Sequence, residues 1–356
     1  MWWIEENDLD AIAIGAGILG TGGGGNPYVG KLRARDAIRK HGPIKVLSPE
    51  ELKESDKIVC LGMIGAPTVG IEKMPDLQSY YALRAIEAQT NEEATALISN
   101  EIGGSNSLEP LLPASIAGLP VVDADGMGRA FPELQMKTFF VYGVPSTPLS
   151  LCDEKGNIAV FTNALDAQWV ERMARAVTIQ MGCVACYAVA PMDANQVKST
   201  AILHSLSLAK SLGESVLQAR LEKSNMVEAI LKTFPGKEIF KGKIVDVERR
   251  TSDGFAFGSL VIDGLNKYFN TKMKIEFQNE NLIALIDDDP ICMVPDLISI
   301  IDSERGEPIT TELLRYGFRV TVLAFPAPGL WTTPKGLEVV GPKAFGYDRD
   351  FIPIKL

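Results

Sequence analysis

The chain has 356 residues, of which 46% are hydrophobic and 22% are charged, and its formal net charge is −10. This is the composition of a globular protein that is long enough for two domains. The negative charge and the absence of Lys/Arg clusters speak against partners such as nucleic acid or an acidic membrane surface, and no apolar stretch approaches the roughly 20 residues of a membrane helix.

The cellular compartment is indicated by the N-terminus and by cysteine usage. The first residues, MWWIEENDLD, carry acidic rather than basic side chains, which is not the pattern of a signal peptide. The five cysteines are scattered and odd in number, so a disulfide framework is not expected. We therefore expect a cytoplasmic protein.

The first part of the chain, residues 1–165, alternates short apolar runs with helical patterns. This alternation predicts an α/β domain with a parallel, Rossmann-like sheet. The predicted strands are AIAIG (11–15), KIVCLGMIG (57–65), ATALISN (94–100) and LPVVDADG (119–126). The predicted helices between them are NPYVGKLRARDAIRKHG (26–42), SYYALRAIEAQT (79–90) and SLEPLLPASIAG (107–118).

The second part, residues 166–356, reads as a helical lead-in followed by a β-rich α+β domain. Its predicted helices are DAQWVERMARAVTIQMG (166–182), STAILHSLSLAKSLGESVLQARL (199–221) and NMVEAILKTF (225–234), with a strand CVACYAVAPM (183–192) after the first. After Gly236, turn signals such as Asp253-Gly254 separate β-type runs. These runs are GKIVDVERR (242–250), GFAFGSLVIDG (254–264), KMKIEFQNENLIALID (272–287), DLISIID (296–302) and FRVTVLAFP (318–326).

A glycine-rich stretch near the N-terminus matches the dinucleotide-binding fingerprint G-x-G-x-x-G at Gly15, Gly17 and Gly20. The fingerprint requires a helix that continues through its third glycine. Here TGGGGNP follows, and each glycine costs a helix about 1 kcal/mol relative to alanine. We therefore expect the helix to begin at Asn26 and do not favour NAD as a cofactor. A close backbone approach to a ligand is the better interpretation of the four consecutive glycines, Gly22, Gly23, Gly24 and Gly25.

Polar side chains follow the predicted parallel strands at their carboxyl ends, where ligands bind in open α/β sheets. Asp123 and Asp125 are two residues apart, so on a strand they share one face and can tune each other's pKa. Arg129 or a divalent metal is a candidate counter-charge, and Glu101 is a further acid. The alternative is that these residues cap helices and anchor loops. Asn106 either binds ligand or caps a helix that begins at Ser107.

The cysteines and histidines give weaker signals. Cys183 and Cys186 form a C-x-x-C, but on a strand they would face opposite sides, which favours core cysteines over zinc or redox chemistry. Cys60 lies within a predicted strand and is expected to be buried. His204 is expected to pack on a helix face, with a role as a base as the alternative if it faces a cleft between domains.

Several motifs, taken together, resemble the S-methyl-thiohydantoin desulfurase family. They include GILGTGGGGNP, EIGGSN, GLPVVDADGMGRAFPELQM, FQNE, PDLI and TTPKGLEVVGPKAFGYD, in this order along the chain. The resemblance implies a cytoplasmic enzyme with a Rossmann-like domain and a β-rich domain. The implied reaction is hydrolysis of a 2-methylthio-imidazolone to a hydantoin and methanethiol. The motif residues shared with the family are Gly22 to Gly25, Glu101, Asn106, Asp123, Asp125, Arg129 and Glu133.

Our mechanistic hypothesis assigns catalysis to four of these residues. Asp123 or Asp125 activates water, directly or on a metal, Glu101 protonates the ring nitrogen or the thiolate, and Arg129 stabilises the developing anion. Substrate binding is assigned to the four loop glycines, Asn106 and Glu133.

Two alternatives stay open at this point. One is a metal-dependent hydrolase of hydantoin-like cyclic amides, with the carboxylates as oxygen ligands. The other is a non-catalytic partner subunit of a hydantoinase-like enzyme. In each case the ligand is a small heterocycle, and a homo-oligomer is expected.

Overall fold

The computed structural model describes residues 1–70, 72–73 and 77–356 of the chain. Its strands are β1 Trp2–Ile4, β2 Ile44–Leu47, β3 Ile58–Gly65, β4 Ala96–Ser99, β5 Val121–Asp125, β6 Leu149–Cys152, β7 Ile158–Phe161, β8 Val184–Met192, β9 Ile202–Leu203, β10 Lys237–Ser252, β11 Phe255–Gly264, β12 Lys272–Gln278, β13 Glu280–Ile286, β14 Asp289–Met293, β15 Leu297–Asp302 and β16 Arg319–Phe325. Its helices are α1 Leu9–Leu19, α2 Pro27–His41, α3 Pro67–Gly70, α4 Gln78–Thr90, α5 Leu111–Ala117, α6 Thr138–Val141, α7 Ala167–Gln180, α8 Ala194–Thr200, α9 Ser205–Glu222, α10 Met226–Thr233 and α11 Pro334–Val340.

The first sheet has nine strands in the order β1-β2-β5-β4-β3-β8-β6-β7, with β9 paired to β5. The pairs β2–β5, β5–β4 and β4–β3 are parallel, and the remaining pairs are antiparallel. The carboxyl ends of β3, β4 and β5 therefore meet at one edge of the sheet, where their connecting loops converge.

The second sheet has seven strands in the order β14-β13-β12-β11-β10-β16-β15, all antiparallel. A chain with a mixed sheet covered by helices and a separate antiparallel sheet has the predicted α/β fold class. The division at residues 165/166 stays a prediction, and β8, which follows it in the chain, lies within the first sheet.

The predicted strand AIAIG is wrong: these residues lie in helix α1. Ten of its eleven residues are buried, so the apolar pattern has no exposed face, and such a run does not distinguish a helix from a buried strand. The glycines of α1 allow a close helix crossing. A Cβ at Gly15 would lie 1.8 Å from the Ala209 carbonyl oxygen of α9, and one at Gly213 of α9 would lie 1.8 Å from that of Ala11.

Most other predicted elements are present, with shifted ends. Helix α2 begins at Pro27, and the Asn26 side chain accepts a hydrogen bond from the Tyr28 N–H, as the capping signal predicts. The predicted helix 199–221 is interrupted, because α8 ends at Thr200 and α9 begins only at Ser205. The predicted strand 272–287 is a hairpin that turns at Asn279, whose φ is 57°. Among the described residues, no helix is both long and apolar enough to span a membrane.

Candidate active site in the cleft between the sheets

A cleft of about 1030 Å³, counting the part open to solvent, lies at the carboxyl ends of β3, β4 and β5. One side is formed by the loops after these strands and the other by the β12–β13 turn of the second sheet. The polar groups on its floor are Asn100, Glu101, Asn106, Tyr187 and Glu280. This is the edge at which the strand-end pattern placed a ligand, although the first of the four predicted strands is a helix.

Glu101, which follows β4, is 3% exposed and lines the cleft. Its Oε1 accepts a hydrogen bond from the Asn106 amide, and its Oε2 accepts one from the Phe131 N–H at 3.2 Å. Burial is the largest influence and raises the pKa of Glu101 to about 8, against the lowering effect of these two donors. A carboxyl group with such a pKa can donate or accept a proton near neutral pH.

Glu280, the first residue of β13, is a second buried carboxyl group in the cleft, also 3% exposed. Its Oε2 has no hydrogen-bond partner among the described residues. Burial first, and then the charge of Glu101, raise the pKa of Glu280 well above its usual range, whereas Arg129 and a hydrogen bond from the Gly24 backbone lower it. The charge of Glu101 therefore disfavours the ionisation of Glu280.

Asn106 lines the cleft and holds Glu101 in place, and its part in substrate binding stays a prediction. Its Oδ1 accepts the Met63 N–H at 2.7 Å, and its amide nitrogen donates to Glu101. Asn106 lies in a 3₁₀ turn, Gly104–Ser107, and α5 begins only at Leu111, so the predicted helix start at Ser107 is wrong. The side chain ties the end of β3 to the acid that follows β4.

The glycine loop contributes backbone to the cleft at two of its four positions. Gly24 and Gly25 line the cleft, and their carbonyl oxygens accept the Asn106 and Ser105 N–H groups at 3.0 and 3.1 Å. Gly23 packs against Glu280, because a Cβ there would lie 2.0 Å from Oε1. Gly22 accepts a backbone hydrogen bond from residue 311 at 2.8 Å, outside the cleft. The loop thus shapes the surroundings of Glu280, and direct contact of these glycines with substrate stays a prediction.

Asp123 and Asp125 share a face of β5 as predicted but do not line the cleft. Asp123 Oδ1 accepts the Ser207 N–H at 2.9 Å near the start of α9. Asp125 Oδ2 accepts three backbone N–H groups, at 2.7 to 2.9 Å, from residues 102, 127 and 128. Burial raises the pKa of Asp125 to about 6, against the lowering effect of these donors. Both positions fit the loop-anchoring alternative, and their catalytic role stays a prediction.

Arg129 is fully buried and likewise does not line the cleft. Its guanidinium joins the two sheets through five hydrogen bonds of 2.7 to 3.1 Å. The acceptors are the carbonyl oxygens of Ala130, Pro295, Asp296 and Asn281 and the hydroxyl of Thr21. Burial lowers the pKa of Arg129 to about 10. Its charge acts on Glu280 at a distance, with every donor used by the scaffold.

The cleft wall carries Glu133 and three basic side chains. Glu133 lines the wall and accepts a hydrogen bond from Gln135, and partial burial raises its pKa. The basic side chains are each paired with a carboxylate, in the ion pairs Arg33–Glu109, Lys73–Glu154 and Arg175–Glu171. Glu133 is thus in the cleft, where its predicted part in substrate binding can be tested.

The cysteines and His204 lie apart from the floor of the cleft. Cys60 and Cys186 are buried, as expected of core cysteines, whereas Cys183 is partly exposed in a turn with φ of 67°. Burial raises the pKa of Cys60 to about 12, so its thiol stays protonated. The packing prediction for His204 is wrong: it precedes α9 with φ of 60°, is half exposed, and its Nε2 is 3.1 Å from Glu50 Oε1.

Metal ligation was a further hypothesis for the acidic residues. Within the described residues, no group of three or more His, Cys, Asp or Glu side chains is arranged to hold a metal ion. Glu101, Asp123 and Asp125 accordingly do not form such a set. The alternative with a divalent metal stays a prediction.

Two family models together match almost the whole length of the chain. The family model of the S-Me-THD-like N-terminal domain matches residues 7–163, and that of the S-Me-THD-like C-terminal domain matches residues 165–354. The chain belongs to the S-Me-THD-like family. The motif resemblance to the S-methyl-thiohydantoin desulfurase family is thereby confirmed. Membership is consistent with an enzyme that acts on a hydantoin-related ring.

The fold of this S-Me-THD-like chain is similar to that of a solved structure. The X-ray structure of a protein from Chromobacterium violaceum, a structural genomics target, superposes with a TM-score of 0.84. It is 23% identical in sequence, and the match covers 100% of both chains. At this identity the likeness shows the fold alone. No curated protein matches the sequence.

Three cleft residues of this S-Me-THD-like chain were missed by the sequence reasoning. Glu280 reads as part of a polar turn in FQNE, and Tyr187 reads as one more core residue of an apolar strand. Asn100 reads only as the end of a strand. For Glu280 a signal was present, because FQNE is one of the motifs shared with the family and its carboxylate lies between apolar runs.

Proposed function

We propose that the chain hydrolyses a 2-methylthio-imidazolone of the S-methyl-thiohydantoin type in this cleft, yielding a hydantoin and methanethiol. The observation that carries the proposal is the pair of buried glutamates, Glu101 and Glu280, on the cleft floor. A hydrolysis of this kind needs one group to accept a proton from water and another to donate one to the ring. Family membership supplies the class of ring, and the glutamate pair supplies the acid and the base.

The hydrogen bonds assign the two roles. Glu101 accepts hydrogen bonds from Asn106 and Phe131, which favour its ionised form. Glu280 has one oxygen without a partner among the described residues and feels the charge of Glu101. We therefore assign the base to the ionised form of Glu101 and the acid to Glu280, whose pKa is raised well above its usual range.

The reaction can be written so that every proton is accounted for and both glutamates end in their starting protonation states. Glu101 takes a proton from water as the oxygen bonds to the ring carbon that bears sulfur, and Glu280 gives its proton to the ring nitrogen. As the carbon–sulfur bond breaks, the new hydroxyl returns a proton to Glu280 and becomes the carbonyl. The departing methanethiolate takes the proton held by Glu101 and leaves as methanethiol.

This assignment differs from the sequence hypothesis in its second carboxylate. Glu101 keeps an acid–base role, but its partner is Glu280, because Asp123 and Asp125 do not line the cleft. The buried cation Arg129 lowers the pKa of Glu280 and so limits the charge penalty of the pair. A cytoplasmic location and a homo-oligomeric assembly stay predictions.

The test is incubation of the purified protein with a 2-methylthio-imidazolone while methanethiol is measured with a thiol reagent. Release by the wild type and its loss in E101Q and E280Q would support the proposal. E248Q, which changes an exposed glutamate of the same sheet as Glu280, is the matched control and should retain wild-type release.

The same assay separates the alternatives. Release that a strong chelator abolishes would favour metal-dependent hydrolysis over the glutamate mechanism. Release that persists in both E101Q and E280Q would contradict the assigned roles. No release by the protein alone, restored on adding a hydantoinase-like partner, would favour the partner-subunit alternative.

A further inference from the structure

Besides Glu280 Oε2, two buried polar atoms on the cleft floor have no hydrogen-bond partner among the described residues: Asn100 Oδ1 and the Tyr187 hydroxyl oxygen. Asn100 is 3% exposed and Tyr187 is fully buried, and both line the cleft beside Glu101. Buried polar atoms in folded proteins nearly always have a partner, since losing water without replacement is costly. Their position on the floor of a cleft indicates that a ligand supplies the missing hydrogen-bond partner.

The backbone fixes the two side chains next to each other. The Asn100 N–H donates to the Leu61 carbonyl at 2.9 Å, and the Asn100 carbonyl accepts the Gly126 N–H at 3.1 Å. Tyr187 lies opposite Gly62 in the β3–β8 pair. A Cβ at Gly62 would lie 2.4 Å from Asn100 Oδ1, so a glycine is needed there to leave room for the amide.

A buried cation holds the tyrosine ring. The Lys137 Nζ lies 4.7 Å from the centroid of the Tyr187 ring and donates a hydrogen bond to the Leu134 carbonyl at 3.0 Å. Burial raises the pKa of Tyr187 well above its usual range, so the hydroxyl keeps its proton. The Asn100 amide nitrogen lowers this pKa by approaching the hydroxyl oxygen as a donor, which leaves the hydroxyl proton and Asn100 Oδ1 unused. The floor therefore offers one fixed acceptor, from Asn100, beside one fixed donor, from Tyr187.

We propose that Asn100 and Tyr187 bind the adjoining N–H and C=O groups of a cyclic amide. Asn100 Oδ1 accepts the ring N–H, and the Tyr187 O–H donates to the ring carbonyl. This inference rests on the proposed function for the presence of such a ring and adds a requirement: the ring needs an unsubstituted N–H. Because Asn100 immediately precedes Glu101, a ring held in this way is presented to the acid–base pair.

Binding of hydantoin, measured by calorimetry, tests the subsite without any turnover. We expect the wild type to bind hydantoin, and Y187F and N100A each to bind it about tenfold more weakly, the usual effect of one lost hydrogen bond. The ligand 1,3-dimethylhydantoin has no N–H, so it should bind the wild type at least tenfold more weakly than hydantoin does. That preference should shrink in N100A. Y142F removes a tyrosine hydroxyl that binds the Leu330 carbonyl outside the cleft, and it should bind hydantoin like the wild type.

Several outcomes would overturn the subsite. These are no binding of hydantoin to the wild type, equal binding of the two ligands, or unchanged affinity in both Y187F and N100A when thermal unfolding shows that they fold. The dimethyl ligand gives a test that requires no variant.

The two proposals fail in different ways. N–H-dependent binding without methanethiol release would support the subsite and contradict the desulfurisation. Release with a wild-type KM in both Y187F and N100A would support the desulfurisation and contradict the subsite.

Discussion

Arg129 and Glu280 are both buried ionisable residues near the junction of the two sheets, but their surroundings differ. All the hydrogen-bond donors of Arg129 are used by carbonyl and hydroxyl oxygens that join the sheets. Glu280, in contrast, has an oxygen without a partner among the described residues, and it lines the cleft. Saturated hydrogen bonding is what we expect of a structural residue, and the oxygen without a partner supports the role proposed for Glu280. The catalytic role of Arg129 stays a prediction.

Hydrogen bonding does not separate the two sets of acids, since Asp125 Oδ1 also has no partner among the described residues, but their position relative to the cleft does. Asp125 is surrounded by backbone N–H groups outside the cleft, whereas Glu101 and Glu280 form the cleft floor. Removing a scaffold charge should therefore reduce stability, and removing a cleft charge should reduce activity while stability is kept. A functional site commonly carries groups that are unfavourable for folding.

The largest expected effect is on turnover in E280Q. The substitution keeps the size of the side chain but removes the acidic proton, so kcat should fall by about 10²- to 10⁴-fold. The unfolding temperature should stay close to the wild-type value, because glutamine is a neutral side chain of the same size as the protonated glutamate. Methanethiol release and a thermal melt measure the two effects, and a stable variant with wild-type kcat would exclude Glu280 as the acid.

The next largest effect is on stability in R129M. The substitution leaves the four carbonyl oxygens and the Thr21 hydroxyl without their donor inside the protein, which should cost about 3–5 kcal/mol of unfolding free energy. Urea denaturation measures this loss. R39M, at an exposed ion pair, is the control and should change the stability little.

If R129M instead unfolded like the wild type and lost turnover, Arg129 would belong to the site after all. The comparison between saturated and open groups would then fail as a guide to function.

The elements that the sequence predicted well are marked by residues that lie close together in the chain. The run Ile58–Gly65 is apolar and bounded by charged and turn residues, and Asn26-Pro27 marks the start of α2. Glu101 was found because it follows a strand. These features depend on residues near each other in the chain, which is the range over which patterns in sequence are informative.

The remaining features depend on contacts between distant parts of the chain. AIAIG lies in a helix because α9, nearly 200 residues later, covers it through Gly213. Glu280 reaches the cleft only because the β12–β13 turn packs against the glycine loop, and Tyr187 does so because β8 pairs with β3. Asp123 and Asp125 share a face as predicted, but the direction of that face is set by the packing of α9.

The pH dependence of stability tests whether the cleft acid Glu101 is unfavourable for folding when it is ionised. Burial raises its pKa from an ordinary value of 4.5 to about 8 in the folded protein. Between these two pH values the folded state binds more protons than the unfolded state, so the unfolding free energy falls as pH rises. Asp125, with its pKa raised to about 6, adds to the fall between its ordinary value of 3.8 and pH 6.

Urea denaturation from pH 5.5 to 9 measures this slope. E101Q should reduce the slope between pH 6 and 8, where Asp125 contributes little and Glu280 maintains part of it, whereas E248Q should leave it unchanged. An equal slope in E101Q and the wild type would mean that Glu101 is not the buried acid that titrates.

The smallest expected effect is in D123N, at a position that the sequence hypothesis made catalytic. Asp123 accepts the Ser207 N–H at 2.9 Å and lies 3.7 Å from His204 Nδ1, so it stabilises the start of α9. The amide oxygen of asparagine can still accept that N–H, and only the charge is lost, so the unfolding free energy should fall by about 1 kcal/mol or less. Methanethiol release should match the wild type, since the side chain does not line the cleft. A fall in kcat of about a hundredfold in a folded D123N would return Asp123 to the catalytic set, and the distinction between scaffold acids and cleft acids would have to be abandoned.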